Sequence, residues 1–195
     1  LIVGLDPIIN TENQEKYKHI SNPLKSVEGV ASLLKKYDIT KIIHTGGISG
    51  PMLANENPNL IIENNIFFTM YLIEASRIYK KINRFIFCSS ISAYGELAES
   101  NTTEEYRFAP ENLYGATKAS CDLLLKKYYE NYKLDIISLR LSTIYGHRRS
   151  TSCFINDIIN SGIQNNQITL PFKSNFCWPY VYVADVVSCI EKCIF

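Results

Sequence analysis

The chain of 195 residues is 46% hydrophobic and 20% charged, and its formal net charge at pH 7 is +1. This balance is typical of a globular protein with a proper core and excludes a disordered chain. Lysine and arginine are scattered, which argues against a nucleic-acid-binding surface, and the apolar runs are too short or too interrupted to cross a membrane. No signal peptide is recognised and the six cysteines lack metal-ligand spacing, so we expect a reduced cytoplasmic protein without a metal.

Short apolar runs predict β-strands at residues 1–6, 41–44, 84–90 and 134–140, with a weaker one at 180–183. The runs are continuous instead of alternating, which is typical of strands that are buried on both faces of a parallel sheet. Helical patterns lie between them, at residues 27–37, 60–81, 113–131 and 154–161, and a further helix closes the chain. The alternation of strand and helix predicts a doubly wound α/β sheet with right-handed crossovers.

Tyr114 and Lys118 are four residues apart in the third predicted helix, so they share one face. An ammonium group near a phenol favours the phenolate, and such a tyrosine can remove a proton from an alcohol near neutral pH. The same spacing also occurs by chance in many surface helices. Ser89 and Ser90 add weight because they end the strand at 84–90, and ligands bind at the carboxyl ends of strands in an open parallel sheet. Together these residues favour an active site.

Six motifs, in order, resemble those of the extended short-chain dehydrogenase/reductases, in particular the NAD-dependent nucleotide-sugar epimerase/dehydratase group. They read KIIHTGG, NNIFFT, FCSSISAYG, NLYGATKAS, LRLSTIYG and YVYVADV, and they span nearly the whole chain. The resemblance implies a Rossmann-like fold, NAD as the cofactor and a small-molecule substrate, a nucleotide sugar. It also suggests a homodimer formed by two long helices, one of which bears Tyr114.

The resemblance also implies roles for individual residues. Tyr114 would be the catalytic acid/base, Lys118 would lower its pKa and hold the nicotinamide ribose, and Ser90 would hydrogen-bond the reacting oxygen. The implied cofactor contacts are Asp6, Thr45, Gly46, Gly47, Asn65, Ser89, Tyr114 and Lys118. For Asp6, a plain turn former before Pro7 is the alternative. The implied or candidate substrate contacts are Ser90, Thr143 and Arg148. An arginine in a loop is commonly just solvated, which is the alternative for Arg148.

Residues 91 and 92 bear on the type of reaction. Relatives that dehydrate or decarboxylate a sugar carry acidic residues between the serine pair and the following tyrosine, whereas this chain has Ile91 and Ser92. The resemblance therefore favours oxidation at a hydroxyl, or epimerisation through a transient ketone, over dehydration and decarboxylation.

The chain departs from the family pattern at several positions. Thr143 replaces an asparagine that contacts substrate, and Trp178 and Pro179 stand where an arginine–aspartate pair is common. These changes weaken a prediction of UDP-glucose or UDP-galactose as the substrate. They leave open two alternatives, namely a truncated or non-catalytic relative and an NAD-dependent dehydrogenase or reductase of a small non-nucleotide substrate.

No glycine-rich loop precedes the strand at 1–6, although that loop holds the pyrophosphate in the family. In the strand order 3-2-1-4-5-6 the first strand is central, so without it the strands at 1–6 and 41–44 would face each other with unpaired edges. We therefore expect an upstream segment. The sequence is interpreted as an N-terminally incomplete NAD-binding domain over 1–146. Residues 147–195 would start a substrate-binding region and add a returning strand and helix, incomplete at the C-terminus.

Overall fold

The computed structural model describes residues 2–5, 17–21, 24–48, 56–96, 102–147, 149, 151, 153–164 and 178–195. The chain divides into two compact units, Leu1–Arg140 and Leu141–Phe195.

The strands of the first unit form two sheets. Strand β1 (Ile2–Leu5) pairs in parallel with β2 (Tyr17–Ile20). Strand β3 (Lys41–His44) pairs in parallel with β4 (Arg84–Ser90), and β5 (Ile136–Leu141) completes the order β3-β4-β5. Among the described residues β1 and β3 lie in different sheets.

The helices of the first unit begin and end where local chemistry allows. They are α1 (Val27–Lys36), α2 (Pro58–Ile62), α3 (Phe68–Tyr79) and α4 (Leu113–Tyr132). The side chain of Asn112 caps α4 by accepting from the Gly115 N–H at 2.8 Å. Lys133, in the left-handed conformation with a φ of 57°, ends it. The single helix predicted at 60–81 is interrupted by a π-helical segment, Glu63–Phe67, between α2 and α3.

The core of this unit is formed by side chains of α1, α3, α4 and β4. Its largest fully buried side chains include Phe85 and Phe87 from β4, Ile73 from α3 and Leu125 from α4. Burying an aromatic or aliphatic side chain of this size stabilises the fold by about 1.5–3 kcal/mol. The continuous apolar run of β4 is therefore what anchors its carboxyl end against the helices.

The second unit contains β6 (Thr143–Tyr145), α5 (Phe154–Ile163), β7 (Tyr180–Tyr182) and α6 (Val183–Ile194). Strands β6 and β7 pair in parallel, with Thr143 opposite Tyr180. Neither β2 nor β6 was predicted, because each is only three or four residues long and has no extended apolar run.

Candidate active site

The carboxyl end of β4 meets the amino end of α4 at close range. Ser90 is the last residue of β4, and its hydroxyl accepts from the Ser92 N–H at 3.1 Å at the start of a 3₁₀ turn, Ile91–Ala93. A Cβ on Gly115 would lie 2.3 Å from the Ser92 carbonyl oxygen. Only a glycine therefore lets α4 approach the turn this closely, and the approach brings Tyr114 to Ser90.

Tyr114 is half-buried, and burial raises the pKa of its phenol, while the interaction with the Ser90 hydroxyl partly opposes that rise. The neighbouring Lys118 is 5% exposed, and its Nζ lies 5.9 Å from the centroid of the Tyr114 ring. That Nζ donates a hydrogen bond to the Cys88 carbonyl oxygen at 2.8 Å. Burial is thus the largest cause of the shift in the Tyr114 pKa, and the lowering by Lys118 that the resemblance implies stays a prediction.

The pKa of the Lys118 ammonium group is also shifted. Burial lowers the pKa of its ammonium, and Nζ also lies 4.7 Å from the centroid of the Phe87 ring. An ammonium over an aromatic face is stabilised by the negative potential of the ring. Cys88 and Phe87 thus fix the amine one helical turn beyond Tyr114.

Asn65 joins the loop after β3 to the helix that bears Tyr114. Its Oδ1 accepts from the Ile48 N–H at 2.8 Å, and its Nδ2 donates to the Ile48 carbonyl at 3.1 Å and to Thr117 Oγ1 at 3.0 Å. Gly47 in that loop has a φ of +128°, and a Cβ there would meet Asn65 Oδ1 at 2.7 Å. The π-helical segment supplies Asn65, and such segments are frequent at functional sites.

The predicted cofactor residues Thr45, Gly46 and Gly47 are exposed and follow directly after β3. They therefore lie at the carboxyl edge of the same sheet as Ser90, where α/β proteins bind ligands. The two glycines carry no side chain that would keep a ligand away from the backbone.

His44, at the end of β3, is a buried structural residue. Its Nε2 lies 2.9 Å from Thr69 Oγ1, and because that hydroxyl donates to the Asn65 carbonyl, Nε2 carries the proton. Burial, assisted by the positive charge of Lys118, lowers the pKa of His44 to about 3. His44 is thus neutral and hydrogen-bonded at the end of its strand.

Ser89 is hydrogen-bonded to the carboxylate of Asp122, a residue that was not among the predicted site residues. Its hydroxyl donates to Asp122 Oδ2 at 2.9 Å, and both residues are buried. Asp122 also accepts from Arg140 Nε at 3.0 Å. The sequence could have indicated Asp122 through its spacing, because it follows Lys118 by four residues and so shares its helical face.

Of the remaining predicted residues, Asp6 and Arg148 lie outside the described residues. Thr143 lies in the second unit, where its hydroxyl accepts from Trp178 Nε1 at 2.7 Å. Two positions at which the chain departs from the family pattern are therefore in direct contact.

Within the described part of the chain, no group of three or more His, Cys, Asp or Glu side chains has the geometry to hold a metal ion. Nor does any helix in those residues have the length and apolar character needed to cross a membrane.

Parallel strands alternate with helices along the chain, which is a Rossmann-like α/β arrangement. The sequence profile of the NAD dependent epimerase/dehydratase family matches residues 4–194, and the chain belongs to this family.

Among its relatives is the dTDP-D-glucose 4,6-dehydratase of Dictyostelium discoideum, which is 27% identical over 186 residues. That alignment covers 90% of this chain and 43% of the dehydratase.

Two solved structures share the fold. The UDP-N-acetylglucosamine 4-epimerase of Methanobrevibacter ruminantium, in complex with UDP-N-acetylmuramic acid, is 22% identical with a TM-score of 0.86. It matches 98% of this chain over 64% of its own chain. The UDP-glucose 4-epimerase of Thermus thermophilus, in complex with NAD, is 24% identical with a TM-score of 0.83, over 99% of this chain and 66% of its own. The chain thus spans less than two thirds of each of these proteins.

Proposed function

We propose that the chain belongs to a cytoplasmic, NAD-dependent nucleotide-sugar epimerase or dehydrogenase that acts by hydride transfer. The observation that carries this proposal is the convergence of Ser90, Tyr114 and Lys118 at the carboxyl end of β4. The complexes of relatives with NAD and with a UDP-sugar support the cofactor and the substrate class.

The exposed backbone of Thr45, Gly46 and Gly47 fits a cofactor at this edge, because the two glycines allow close approach. In the proposed site this loop, with Asp6, Asn65 and Ser89, forms the cofactor side, and Lys118 holds the nicotinamide ribose. NAD bound there would supply the hydride-accepting and hydride-returning chemistry at the carbon that bears the reacting hydroxyl.

Side chains of the protein transfer the proton of the substrate hydroxyl. Tyr114 takes the hydroxyl proton as the hydride leaves, and gives it back when the ketone is reduced. Ser90 hydrogen-bonds the same oxygen and keeps it aligned with the phenol, and Thr143 and Arg148 are proposed substrate contacts. The positive charge of Lys118 on the same helical face stabilises the phenolate that forms. For this, its Nζ must exchange its present bond to the Cys88 carbonyl for a position nearer the phenol.

The turn that follows β4 favours oxidation or epimerisation over dehydration. Ile91 and Ser92 form the first part of this turn and carry no carboxylate to remove a proton from carbon. Incubation with UDP-sugars and dTDP-glucose, followed by chromatography of the products, should yield an epimer or an oxidised sugar. A 4-keto-6-deoxy sugar as the product would refute this assignment of the reaction.

The test of the function is Tyr114→Phe in the full-length gene product. The variant should lose turnover and keep NAD affinity, measured by calorimetry, because only the proton-transferring hydroxyl is removed. Tyr128→Phe is the matched control, since Tyr128 lies on the same helix and its hydroxyl donates to Glu74 at 3.1 Å. Turnover retained by Tyr114→Phe would refute the proposal. A parent that does not bind NAD would instead favour a non-catalytic relative.

A second candidate is an NAD-dependent dehydrogenase of a small non-nucleotide substrate. The hydrogen bond between Trp178 and Thr143 favours it, because these positions carry an indole and a hydroxyl where the family has an arginine and an asparagine. An indole carries no positive charge that could pair with a diphosphate. A panel of free polyols, hydroxy acids and sugar nucleotides would decide: activity on the free compounds alone establishes this candidate, and activity on sugar nucleotides alone eliminates it.

We further propose a homodimer through α3 and α4. Apolar side chains are exposed along these helices, among them Ile78 on α3 and Leu123 and Leu124 on α4. Sedimentation should show a dimer that Leu124→Glu dissociates, whereas a monomeric parent would rule the proposal out.

A further inference from the structure

The buried carboxylate of Asp122 is the centre of a hydrogen-bond network behind the proposed active site. It lies on α4, eight residues after Tyr114, and is 5% exposed. Ser89 on β4 donates to it, as do Ser138 and Arg140 on β5. A carboxylate with three side-chain donors from two strands ties α4 to the carboxyl ends of both.

Arg140 connects this network to Tyr94 and to Glu104. Its Nη1 donates to the Tyr94 hydroxyl at 2.8 Å and to the Glu104 carbonyl at 3.0 Å. The guanidinium also lies 5.2 Å from the centroid of the Tyr94 ring and 5.0 Å from that of Phe108. Arg140 thus holds the end of the turn after Ser90 and the segment that leads into α4.

The groups that the network holds are those that place Ser90 and Tyr114. Ser89 adjoins Ser90 in the chain, and Tyr94 closes the turn against which Gly115 packs. The segment at 102–110 also contacts this region, because a Cβ on Gly95 would meet the Ala109 carbonyl at 1.9 Å. A displacement of Ser89 or Arg140 is therefore transmitted to both reacting side chains.

We propose that Asp122 is a positioning residue that, through Ser89 and Arg140, sets the distance between Ser90 and Tyr114. This inference rests on the proposed function. Asp122 lies about 12 Å from Tyr114 along the axis of α4, so its effect belongs to geometry and not to proton transfer. A misplacement of about 1 Å in a catalytic group can lower the rate about 10²-fold.

The test compares Asp122→Asn with Asp135→Asn. Asp135 also pairs with an arginine, Arg84, at 3.3 Å, but at the opposite end of the same two strands. Asparagine at 122 can still bond the serine hydroxyls and loses the charge that pairs with Arg140. We expect Asp122→Asn to lower kcat about 10²-fold with NAD affinity within about twofold of the parent, and Asp135→Asn to change neither.

A second measurement does not depend on turnover. Hydrogen–deuterium exchange followed by mass spectrometry should show faster exchange at residues 91–96 and 102–116 in Asp122→Asn, with β3 and α3 unchanged. Unchanged exchange there overturns the inference, whether or not the parent is active. A parent without turnover refutes the proposed function separately, and the exchange still decides the role of Asp122.

Two more variants keep the test decisive if Asp122→Asn unfolds because Arg140 is left unpaired. Asp122→Glu retains the carboxylate and should recover most of the parent kcat. The double variant Asp122→Asn/Arg140→Met leaves no unpaired charge. Its kcat should be lowered as much as we expect for Asp122→Asn alone. A folded double variant with the parent kcat would overturn the inference, as would a loss of NAD affinity that accounts for the whole effect.

Discussion

Gly115→Ala should separate α4 from the turn after β4. The added Cβ would start 2.3 Å from the Ser92 carbonyl oxygen, whereas real Cβ contacts essentially never fall below 3.0 Å. The two elements must therefore recede by at least the difference of 0.7 Å. Because both sides of the contact are backbone, no side-chain rotation can relieve it.

The size of the effect follows from two opposing contributions. Overpacking of this kind costs about 1–3 kcal/mol, and alanine is better than glycine in a helix by about 1 kcal/mol. The free energy of unfolding should therefore fall by up to about 2 kcal/mol. If Tyr114 moves with the helix, turnover should fall about 10²-fold.

Gly29→Ala provides the matched control in α1. A Cβ at Gly29 would meet Ser26 Oγ at 3.4 Å and Leu24 Cδ2 at 3.5 Å, which are ordinary contacts. This variant should gain up to about 1 kcal/mol from helix propensity. Urea unfolding of both variants measures the difference. Equal stabilities for the two, together with an unshifted amide resonance of Ser92, would refute the close-approach argument.

The stability of the protein should depend on the ionisation of His44 and on the amide of Asn65. Because burial lowers the pKa of His44 from 6.5 to about 3, the unfolded chain takes up the proton first, and stability is lost as the pH falls below 6.5. Between pH 7 and pH 5 this loss should be about 2 kcal/mol, and His44→Gln should remove it from the urea midpoints; identical pH slopes would contradict the argument. Asn65→Asp replaces two N–H donors, to Ile48 and Thr117, by an oxygen, and should cost about 1–3 kcal/mol. The exposed neighbour variant Asn64→Asp should change stability by about 0.5 kcal/mol or less, and similar losses in both would show that the Asn65 bonds are unimportant.

Elements with local signals could be predicted from the amino-acid sequence without the structure. Strands β3 and β4 have the bounds that their apolar runs predict, and α4 begins at Leu113, where the helical pattern begins. The spacing of Tyr114 and Lys118 likewise placed both on one helical face, because that follows from helix geometry alone. The motif order indicated the family, since each motif is a short contiguous stretch.

Contacts between distant segments emerged only from the folded chain. Ser89 donates to Asp122 and Lys118 donates to the Cys88 carbonyl, over separations of 33 and 30 residues. The strands β2 and β6 exist because neighbouring strands pair with them, not because of their own composition. The direction in which the Tyr114 pKa shifts also depends on the tertiary structure. It is set by how deeply the fold buries the phenol and by which partner holds the Lys118 ammonium. Local sequence sets the period and the ends of an element, whereas burial and long-range hydrogen bonds arise only when distant segments pack together.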